Sequence, residues 1–256
     1  MPRLVLIVLA GGALIYVAIC LALFLAQRAF IYYPQPKSAY GDTPALTLHV
    51  DGAIVLVSTR PLPGAEAIIY FGGNAEDVSY SLPTLADAFP KRSLYALNYR
   101  GYGGSTGRPS EAALIADALA LFDRVHLDHS RITVIGRSLG SGVAVHIASE
   151  RPVERLVLVT PYDSLVTIAA SQFRYFPLTW LMLDKFESWR YAGKVTAATQ
   201  LLAAQNDEVI PLSSTRALLR HLPESLATLT IIPGVGHNTI SESPLYIPLL
   251  RGTPSP

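Results

Sequence analysis

The body of this chain alternates short, fully apolar runs with longer segments in which apolar residues recur at helical spacing. Strands that are apolar throughout are typical of a parallel sheet covered by helices on both faces. The first two runs are joined by Asp51-Gly52, a strong signal for a two-residue hairpin that adds an antiparallel edge. The pattern therefore predicts an α/β fold with an eight-stranded, mostly parallel sheet. Its strands are predicted at residues 46–50, 54–59, 67–71, 93–98, 132–135, 156–159, 201–204 and 226–232.

Helical periodicity fills most of the intervals between these strands. The predicted helices cover residues 78–89, 111–127, 139–149 and 213–221. The interval 161–194 interrupts the alternation of strands and helices. It lies between two predicted strands and is rich in aromatic and aliphatic side chains. We interpret it as a small helical cap inserted over the top of the sheet. No internal repeat is evident, so residues 46–250 are predicted to form one domain.

The N-terminus carries the longest apolar run. Residues 4–26 contain no charge and are bounded by Arg3 and by Gln27-Arg28. As a helix they would extend about 35 Å, enough to cross a hydrocarbon core of about 30 Å, so we predict one N-terminal transmembrane helix and an interfacial linker over residues 27–45. A cleaved signal peptide is the alternative, although its apolar core usually has only about 7–15 residues. Basic residues flank both ends, which leaves the orientation open.

Composition narrows the possible functions. The chain has 256 residues, of which 50% are hydrophobic and 15% charged, and 20 basic against 19 acidic residues give a net charge of +1. It lacks the basic surface that neutralises phosphates, so no nucleic-acid partner is expected. Cys20 is the only cysteine, which excludes an intramolecular disulfide and a Cys-based metal site. Oligomeric state is not decided by length or charge.

The strongest chemical signal is Gly136-Arg137-Ser138-Leu139-Gly140, which directly follows a predicted strand and opens a predicted helix. A serine on such a turn has a strained backbone, and glycines two positions before and after it avoid steric clashes. Its hydroxyl would project above the sheet, where the helix N-terminus favours developing negative charge. A Gly-x-Ser-x-Gly string alone is common by chance, and an ordinary turn serine is the alternative. The strand–turn–helix context favours Ser138 as a nucleophile.

A serine hydroxyl is a weak nucleophile, so it needs a base within hydrogen-bond reach and a carboxylate that orients this base. Among six histidines, His237 alone follows a late strand in a glycine-rich loop that lets its ring reach across the sheet, and we predict it as the general base. Asp207, just beyond another strand, is the preferred carboxylate, with Asp163 and Glu208 as rivals. The chain order Ser138, Asp207, His237 is the order of triads built on this kind of turn.

Attack on a carbonyl also requires two backbone N–H donors that bind the oxyanion. Leu139, directly after the nucleophile at the predicted helix start, is expected to supply one. The second is expected from the segment Gly72-Gly73-Asn74-Ala75 after the third strand, with Asn74 as the donor. Glycines in this segment allow close approach to the acyl oxygen. A tight turn of purely structural purpose is the alternative.

Two further segments are open to a functional and a structural interpretation. Residues 100–107 resemble a phosphate-binding loop, but Thr106 stands where a third glycine should be and no Walker lysine follows, so a structural loop near the site is predicted. The aromatic run at residues 173–189 is a candidate for gripping an acyl chain or touching the membrane. The alternative is that its aromatic residues only pack the cap on the core.

The chain resembles the α/β-hydrolase superfamily, and most closely its single-pass, membrane-anchored α/β-hydrolase-domain branch, related to serine aminopeptidase-like hydrolases. The segments that carry the resemblance are residues 71–77, 98–107, 136–140, 206–209 and 236–238, in that order along residues 28–250. That branch includes lysophospholipases and protein depalmitoylases. The resemblance implies Ser138, Asp207 and His237 as the catalytic triad, and Asn74 and Leu139 as the oxyanion donors.

One departure from the family pattern concerns the oxyanion segment, where the usual His-Gly-Asn is replaced by Gly72-Gly73-Asn74. Because that histidine is mainly structural, the difference concerns the rigidity of the loop more than its chemistry.

The sequence thus predicts a membrane-anchored serine hydrolase that cleaves an ester or thioester of a small-molecule, lipid or acylated substrate through an acyl-enzyme. No metal or organic cofactor is required by this chemistry. A serine peptidase or aminopeptidase-like amidase is the enzymatic alternative. A non-catalytic membrane scaffold that keeps the fold is the alternative from another class of protein.

Overall fold

An eight-stranded sheet forms the centre of the computed structural model, which describes residues 2–37 and 45–252. The strands are β1 (Ala45–Val50), β2 (Ala53–Arg60), β3 (Glu66–Phe71), β4 (Ser93–Leu97), β5 (Arg131–Arg137), β6 (Arg155–Val159), β7 (Ala198–Ala204) and β8 (Ala227–Ile232). Their order across the sheet is β1-β2-β4-β3-β5-β6-β7-β8. All neighbours from β4 to β8 are parallel, which confirms the predicted mostly parallel sheet.

The first two strands form the predicted antiparallel edge. Val50 pairs with Ala53 across Asp51 and Gly52, and β2 is also antiparallel to β4. The two central turn residues have φ angles of 47° and 76°. Positive φ at both positions suits the right-handed twist of the strands, which explains the Asp-Gly sequence here.

Helices cover both faces of the sheet, as predicted. The helices of the described residues are α1 (Pro2–Ile31), α2 (Leu82–Ala88), α3 (Glu111–His126), α4 (Leu139–Glu150), α5 (Leu165–Gln172), α6 (Leu178–Leu181), α7 (Trp189–Ala192), α8 (Leu212–His221) and α9 (Tyr246–Arg251). The segment predicted as one helix over residues 78–89 is divided into a 3-10 turn, Val78–Ser81, and α2. Pro83 stands at the start of α2, where the missing N–H of proline is tolerated. The short helix α9 was not predicted.

Two apolar clusters form the core, one on each face of the sheet. In β3, Ala67, Ile69 and Phe71 belong to the larger cluster, whereas Ile68 and Tyr70 belong to the smaller one. Successive side chains of a strand point to opposite faces, so this alternation assigns the clusters to the two sides. Helices α3 and α4 pack in the larger cluster, and α2 and α9 in the smaller one.

Three short helices, α5, α6 and α7, lie between β6 and β7, within the interval predicted as a cap. The cap is tied to the body of the domain by Glu111 at the start of α3. Its carboxylate accepts the backbone N–H groups of Lys185 and Phe186 at 2.7 and 3.0 Å. Burial raises the pKa of Glu111, and these two hydrogen bonds oppose the shift.

Helix α1 extends five residues beyond the predicted end at Ala26 and is long and apolar enough to cross a membrane, with a mean hydropathy of 2.8 over an 18-residue stretch. Its last turns pack on the cap. The Gln27 amide donates to the Leu181 carbonyl oxygen at 3.2 Å and accepts the Leu183 N–H at 2.7 Å. The predicted linker over residues 27–45 therefore begins as helix, and its residues 38–44 lie outside the described residues.

An ion pair fixes the same junction. Arg28 Nε lies 2.9 Å from Asp184 Oδ2, and the Tyr32 hydroxyl donates to the same carboxylate at 3.1 Å. The Asp184 side chain is only 5% exposed. Burial and the neighbouring Asp184 carboxylate raise the pKa of Tyr32, which keeps its hydroxyl protonated as a donor. Helix α1 and the cap are thus joined by charged and neutral hydrogen bonds.

Candidate active site

The turn between β5 and α4 places Ser138 above the carboxyl edge of the sheet. Ser138 has φ 50° and ψ −118°, a strained conformation for a residue with a side chain. A Cβ atom on Gly136 would collide with the Gly140 carbonyl and Ala144, and one on Gly140 would collide with the Phe71 carbonyl. Both glycines are therefore required for the close approach of β3, β5 and α4 around this serine.

The structure brings the three side chains predicted as a triad into one hydrogen-bonded chain. His237 follows β8, and its Nε2 lies 2.9 Å from Ser138 Oγ. Its Nδ1 lies 2.9 Å from Asp207 Oδ2. Asp207 follows β7, and its Oδ1 accepts the N–H groups of Val209 and Ile210 at 2.9 and 2.7 Å. The side chains of His237 and Asp207 are only 7% and 5% exposed, so this chain is largely shielded from water.

The two rival carboxylates make other contacts. Asp163 accepts the Ser214 hydroxyl at 2.5 Å. Glu208 accepts the backbone N–H of His237 at 3.2 Å, so it fixes the loop and not the imidazole ring. Among the three candidate acids, Asp207 is the one whose carboxylate contacts the ring.

The two predicted oxyanion donors both lie close to Ser138. Leu139 is the first residue of α4 and follows the serine directly. Asn74 lies in the loop after β3 and lines the same cavity as Ser138. The preceding Gly73 is so near that a Cβ atom on it would lie 3.8 Å from the Ser138 Cβ. The absence of a side chain at position 73 therefore leaves the space next to the serine open.

Hydrogen bonds from two other parts of the chain hold Asn74. Its carbonyl oxygen accepts the backbone N–H of Tyr33 at 3.1 Å and the hydroxyl of Tyr102 at 2.7 Å. Its side-chain amide donates to the Ile31 carbonyl oxygen at the end of α1, at 3.1 Å. Hydrogen bonds therefore join the loop after β3 directly to the end of helix α1 and to the residues that follow it.

Glu76 is a further residue of this loop that the sequence did not single out. Its Oε2 accepts the Gly73 N–H at 2.8 Å, while its Oε1 accepts the hydroxyls of Tyr70 and Ser81 at 2.7 and 2.6 Å. Arg137 Nη1 lies 3.7 Å from the same carboxylate. Burial and the nearby Glu76 raise the pKa of Tyr70 well above its ordinary value, so this tyrosine is a constant donor.

Gly72 explains why Glu76 can take this position. A Cβ atom on Gly72 would lie 2.7 Å from a Val78 methyl group and 3.1 Å from the Glu76 carboxyl carbon. A histidine at position 72, as in the usual family pattern, would not fit beside this carboxylate without rearrangement. The Gly72 carbonyl is held by the Tyr99 hydroxyl at 2.9 Å and by the Gly140 N–H at 3.1 Å. With glycine at position 72, the loop is therefore held by Glu76, Tyr99 and Gly140 and not by a histidine side chain.

The loop at residues 100–107 has contacts that agree with the structural interpretation. Arg100 Nη2 lies 2.7 Å from an oxygen of the fully buried Asp117. Gly101, Gly103, Gly104 and Gly107 all have positive φ, so the glycines serve tight turns. Through the Tyr102 hydroxyl the loop also supports Asn74.

A cavity of about 930 Å³ surrounds Ser138, a volume in the range of small-molecule sites. Its polar lining includes Ser138, His237 and Asn74 together with the charged Glu76 and Arg137. The lining is mostly apolar, and much of it comes from the last turns of α1 and from the cap residues Leu165, Ile168, Leu178 and Met182. Within residues 2–37 and 45–252, no group of three or more His, Cys, Asp or Glu side chains is arranged to hold a metal ion.

Comparison with known proteins identifies relatives of this chain. The family model of the alpha/beta hydrolase fold matches residues 66–186. The Mycobacterium tuberculosis protein Rv2307c, described as uncharacterized, is 32% identical over 247 residues, covering 90% of this chain and 87% of that protein. The alpha/beta hydrolase domain-containing protein aho-3 of Caenorhabditis elegans is 31% identical over 199 residues, covering 75% of this chain and 58% of that protein.

Solved structures show the same fold at low identity. The Pyrococcus furiosus esterase Pf2001 superimposes with a TM-score of 0.70 at 16% identity, covering 87% of this chain and 97% of the esterase. An enol-lactonase from Burkholderia xenovorans superimposes with a TM-score of 0.63 at 15% identity, covering 80% of this chain and 98% of the lactonase.

Proposed function

Because the chain belongs to the α/β-hydrolase superfamily, we propose that it is a serine hydrolase that cleaves an ester or thioester, with Ser138 as its nucleophile. The observation that carries this proposal is the 2.9 Å contact between His237 Nε2 and Ser138 Oγ at a strained strand–helix turn. A strained serine beside an imidazole that is itself bound to a carboxylate is the arrangement of nucleophilic acyl transfer.

The proposed reaction has two halves that share the same groups. His237 takes the proton of Ser138 as its Oγ attacks the carbonyl carbon, and Asp207 stabilises the imidazolium. The N–H groups of Leu139 and Asn74 bind the oxyanion. The imidazolium then protonates the departing alcohol or thiol, which leaves an acyl-enzyme. Water, deprotonated by His237, attacks this ester, and the acid leaves while Ser138 regains its proton.

An apolar acyl substrate at a membrane suits the surroundings of the site. The cavity beside Ser138 is mostly apolar, and α1 has the length and hydropathy of a single-pass anchor. The contacts of Gln27 and Arg28 with the cap favour a retained anchor over a cleaved signal peptide, because cleavage after Ala26 would separate these residues from the helix that orients them. We therefore place the enzyme at a membrane, acting on a lipid or another acylated molecule.

The contacts of the cap acids argue against a peptidase. An aminopeptidase-like amidase would need an acidic group free to bind a peptide amine, and between residues 164 and 194 the sequence offers only Asp184 and Glu187. Asp184 binds Arg28 and Tyr32, and Glu187 pairs with Arg190 at 2.8 Å. Comparable turnover of aminoacyl amides and aryl esters by the purified protein would favour the amidase.

Covalent labelling tests the proposed function. Full-length protein extracted from membranes should react with a fluorophosphonate probe, and mass spectrometry of the digest should find the adduct on the peptide that contains Ser138. Heat-denatured protein is the control, since an unfolded serine has no base and should not react. A folded protein that remains unlabelled, or that carries the adduct on another serine, would contradict the proposal and favour a non-catalytic scaffold.

The loop contacts lead to a second prediction, for Glu76→Gln. The amide replaces one carboxylate oxygen with an NH₂ and removes the charge, so the charge-assisted hydrogen bonds from the Gly73 N–H and from the hydroxyls of Tyr70 and Ser81 cannot all be kept. We expect kcat for an aryl ester to fall about 100-fold, the loss typical of one misplaced oxyanion donor, with a smaller change in KM.

Asp77→Asn is the matched control, because Asp77 is the next residue but caps the turn at Ser79 instead of holding Gly73. Its kcat should stay near that of the wild type. Equal kcat values for Glu76→Gln and the wild type, measured on folded protein by circular dichroism, would show that Glu76 does not position the loop.

A further inference from the structure

One face of helix α1 forms a wall of the active-site cavity. Leu23, Gln27, Phe30 and Ile31 line the same cavity as Ser138. Their spacing of four, three and one residues places them on one side of a helix. Ile31 also accepts the hydrogen bond from the Asn74 amide, so this face reaches from the apolar part of α1 to the loop beside the serine.

The position of a membrane on α1 is constrained by the charges at its ends. Residues 4–26 carry no charge, and a membrane span needs about 20 residues. Any span of that length within residues 4–26 includes both Tyr16 and Leu23. The cavity wall therefore reaches a depth at which α1 is surrounded by hydrocarbon.

The cap follows α1 to the same depth. The ring of Tyr16 stacks on Phe176 with centroids 5.9 Å apart, and the Tyr16 hydroxyl donates to the Tyr175 carbonyl oxygen at 2.8 Å. A part of the cap that contacts Tyr16 must share the environment of this part of the helix. The segment from Phe173 to Leu183 is therefore immersed beside α1 when α1 spans a bilayer.

The exposed side chains of this segment, which include the charged Arg174, are of the kinds found at a membrane interface. Tyr175 and Trp180 are 81% and 88% exposed, and Phe173 and Leu183 are also exposed. Clustered, exposed aromatic side chains are typical of surfaces that meet a membrane, where tyrosine and tryptophan concentrate at the interface. Lipid is the partner indicated here because the cluster adjoins an apolar helix of spanning length.

We propose that the active-site cavity opens into the bilayer between α1 and the cap, and that the acyl chain of a membrane-resident ester or thioester enters it sideways and lies along Leu23 and Phe30. This inference rests on the proposed function and specifies its substrate class as a long-chain acyl lipid or a lipidated molecule. The acyl chain of the substrate need not leave the hydrocarbon phase. Its carbonyl group reaches Ser138 while its hydrocarbon tail remains beside α1. Helix α1 is then part of the substrate site as well as an anchor.

A pair of tryptophan substitutions in α1 tests the substrate path. In full-length protein reconstituted in phosphatidylcholine nanodiscs, kcat/KM is measured for p-nitrophenyl palmitate and p-nitrophenyl butyrate. Leu23→Trp fills the membrane end of the cavity and should lower the palmitate-to-butyrate ratio at least about 10-fold, which corresponds to lost burial of a few methylene groups. Leu21→Trp is the matched control, since Leu21 is exposed and lies about 200° around the helix from Leu23. Its ratio should stay near that of the wild type.

The outcomes separate this inference from the proposed function. Wild-type protein that reacts with fluorophosphonate and cleaves butyrate, but whose palmitate-to-butyrate ratio is the same in Leu23→Trp, keeps the hydrolase and overturns the acyl path along α1. Wild-type protein that neither reacts nor cleaves either ester overturns both. An equal fall of the ratio in Leu21→Trp also overturns the path, because the effect would then arise from the helix in general.

Fluorescence provides a second test that does not depend on activity. The chain has two tryptophans, so Trp189→Phe leaves Trp180 alone and Trp180→Phe leaves Trp189 alone. In nanodiscs that contain brominated phosphatidylcholine, the emission of Trp180 should be quenched at least twofold more than that of Trp189, which is less exposed and lies at α7. Equal or weaker quenching of Trp180 would overturn the immersion of the cap.

Discussion

Ser138→Ala and His237→Ala are each expected to lower kcat for an aryl ester about 10⁴- to 10⁶-fold, and the double variant is expected to be no slower than either single variant. The reason is that the hydroxyl and the imidazole act in one step. Once Ser138 Oγ is absent, His237 has no proton to remove, and without His237 the hydroxyl remains a weak nucleophile. Residues that act as such a unit give strongly non-additive losses.

Active-site titration and steady-state kinetics on folded, reconstituted variants measure this effect. Ser149→Ala and His126→Ala are suitable controls, since Ser149 binds the His146 carbonyl on α4 and His126 is exposed at the end of α3. Both should stay within about threefold of the wild type, as is usual for substitutions outside a site. Losses that multiply in the double variant would show that the two side chains act independently, which contradicts their assigned roles.

The parts of the fold that could be predicted are those dictated by local sequence. The apolar strands and the Asp51-Gly52 turn are specified within a few residues of the chain, and the structure contains all of them. The turn at Ser138 belongs to the same class, because Gly136 and Gly140 are required by contacts between adjacent elements. Strand ends then bring His237 and Asp207 to the same edge of the sheet without further information.

The contacts that could not be predicted join residues far apart in sequence. Glu76 directly follows the segment predicted to supply an oxyanion donor, yet its partners Tyr70, Gly73 and Ser81 identify its role only in three dimensions. A signal was present in the acid three residues after Gly73, combined with a glycine in place of the family histidine. Only the packing around Gly72 shows that the glycine at position 72 and the acid at position 76 belong together.

The junction between α1 and the domain was missed for the same reason. The apolar run ends at Ala26, and hydropathy alone ends the helix there. Gln27 and Arg28 continue it because the cap supplies partners for both side chains, including Asp184, which is more than 150 residues away along the chain. The short cap helices have too few turns for a periodic pattern, so only their interval could be identified. An anchor that also lines the active site follows from these contacts and not from composition.

Asp207→Asn is expected to lower kcat/KM about 10⁴-fold, and it distinguishes the carboxylate that orients His237 from its rivals. Asparagine keeps the shape and still accepts the N–H groups of Val209 and Ile210, which now bind Asp207 Oδ1. His237 Nδ1 lies 2.9 Å from Asp207 Oδ2 and 3.1 Å from Oδ1. Because Oδ1 already accepts two backbone N–H groups, the NH₂ at the Oδ2 position becomes the nearer partner of Nδ1 and favours the tautomer that carries its proton on Nε2, towards Ser138. An imidazole in that tautomer cannot accept the serine proton, which is the cause of a loss of this size in serine proteases.

Asp163→Asn is the matched control for Asp207→Asn. The two acids follow neighbouring strands, but Asp163 binds the Ser214 hydroxyl and does not contact the imidazole in this structure. Its kcat/KM should therefore remain within about threefold of the wild type, the range of a substitution away from the reacting groups. If Asp163→Asn were the damaging change and Asp207→Asn the mild one, His237 would have to turn to the carboxylate after β6 during the reaction. That outcome would contradict the role of Asp207 as the carboxylate that orients His237. Ser138 would remain the nucleophile.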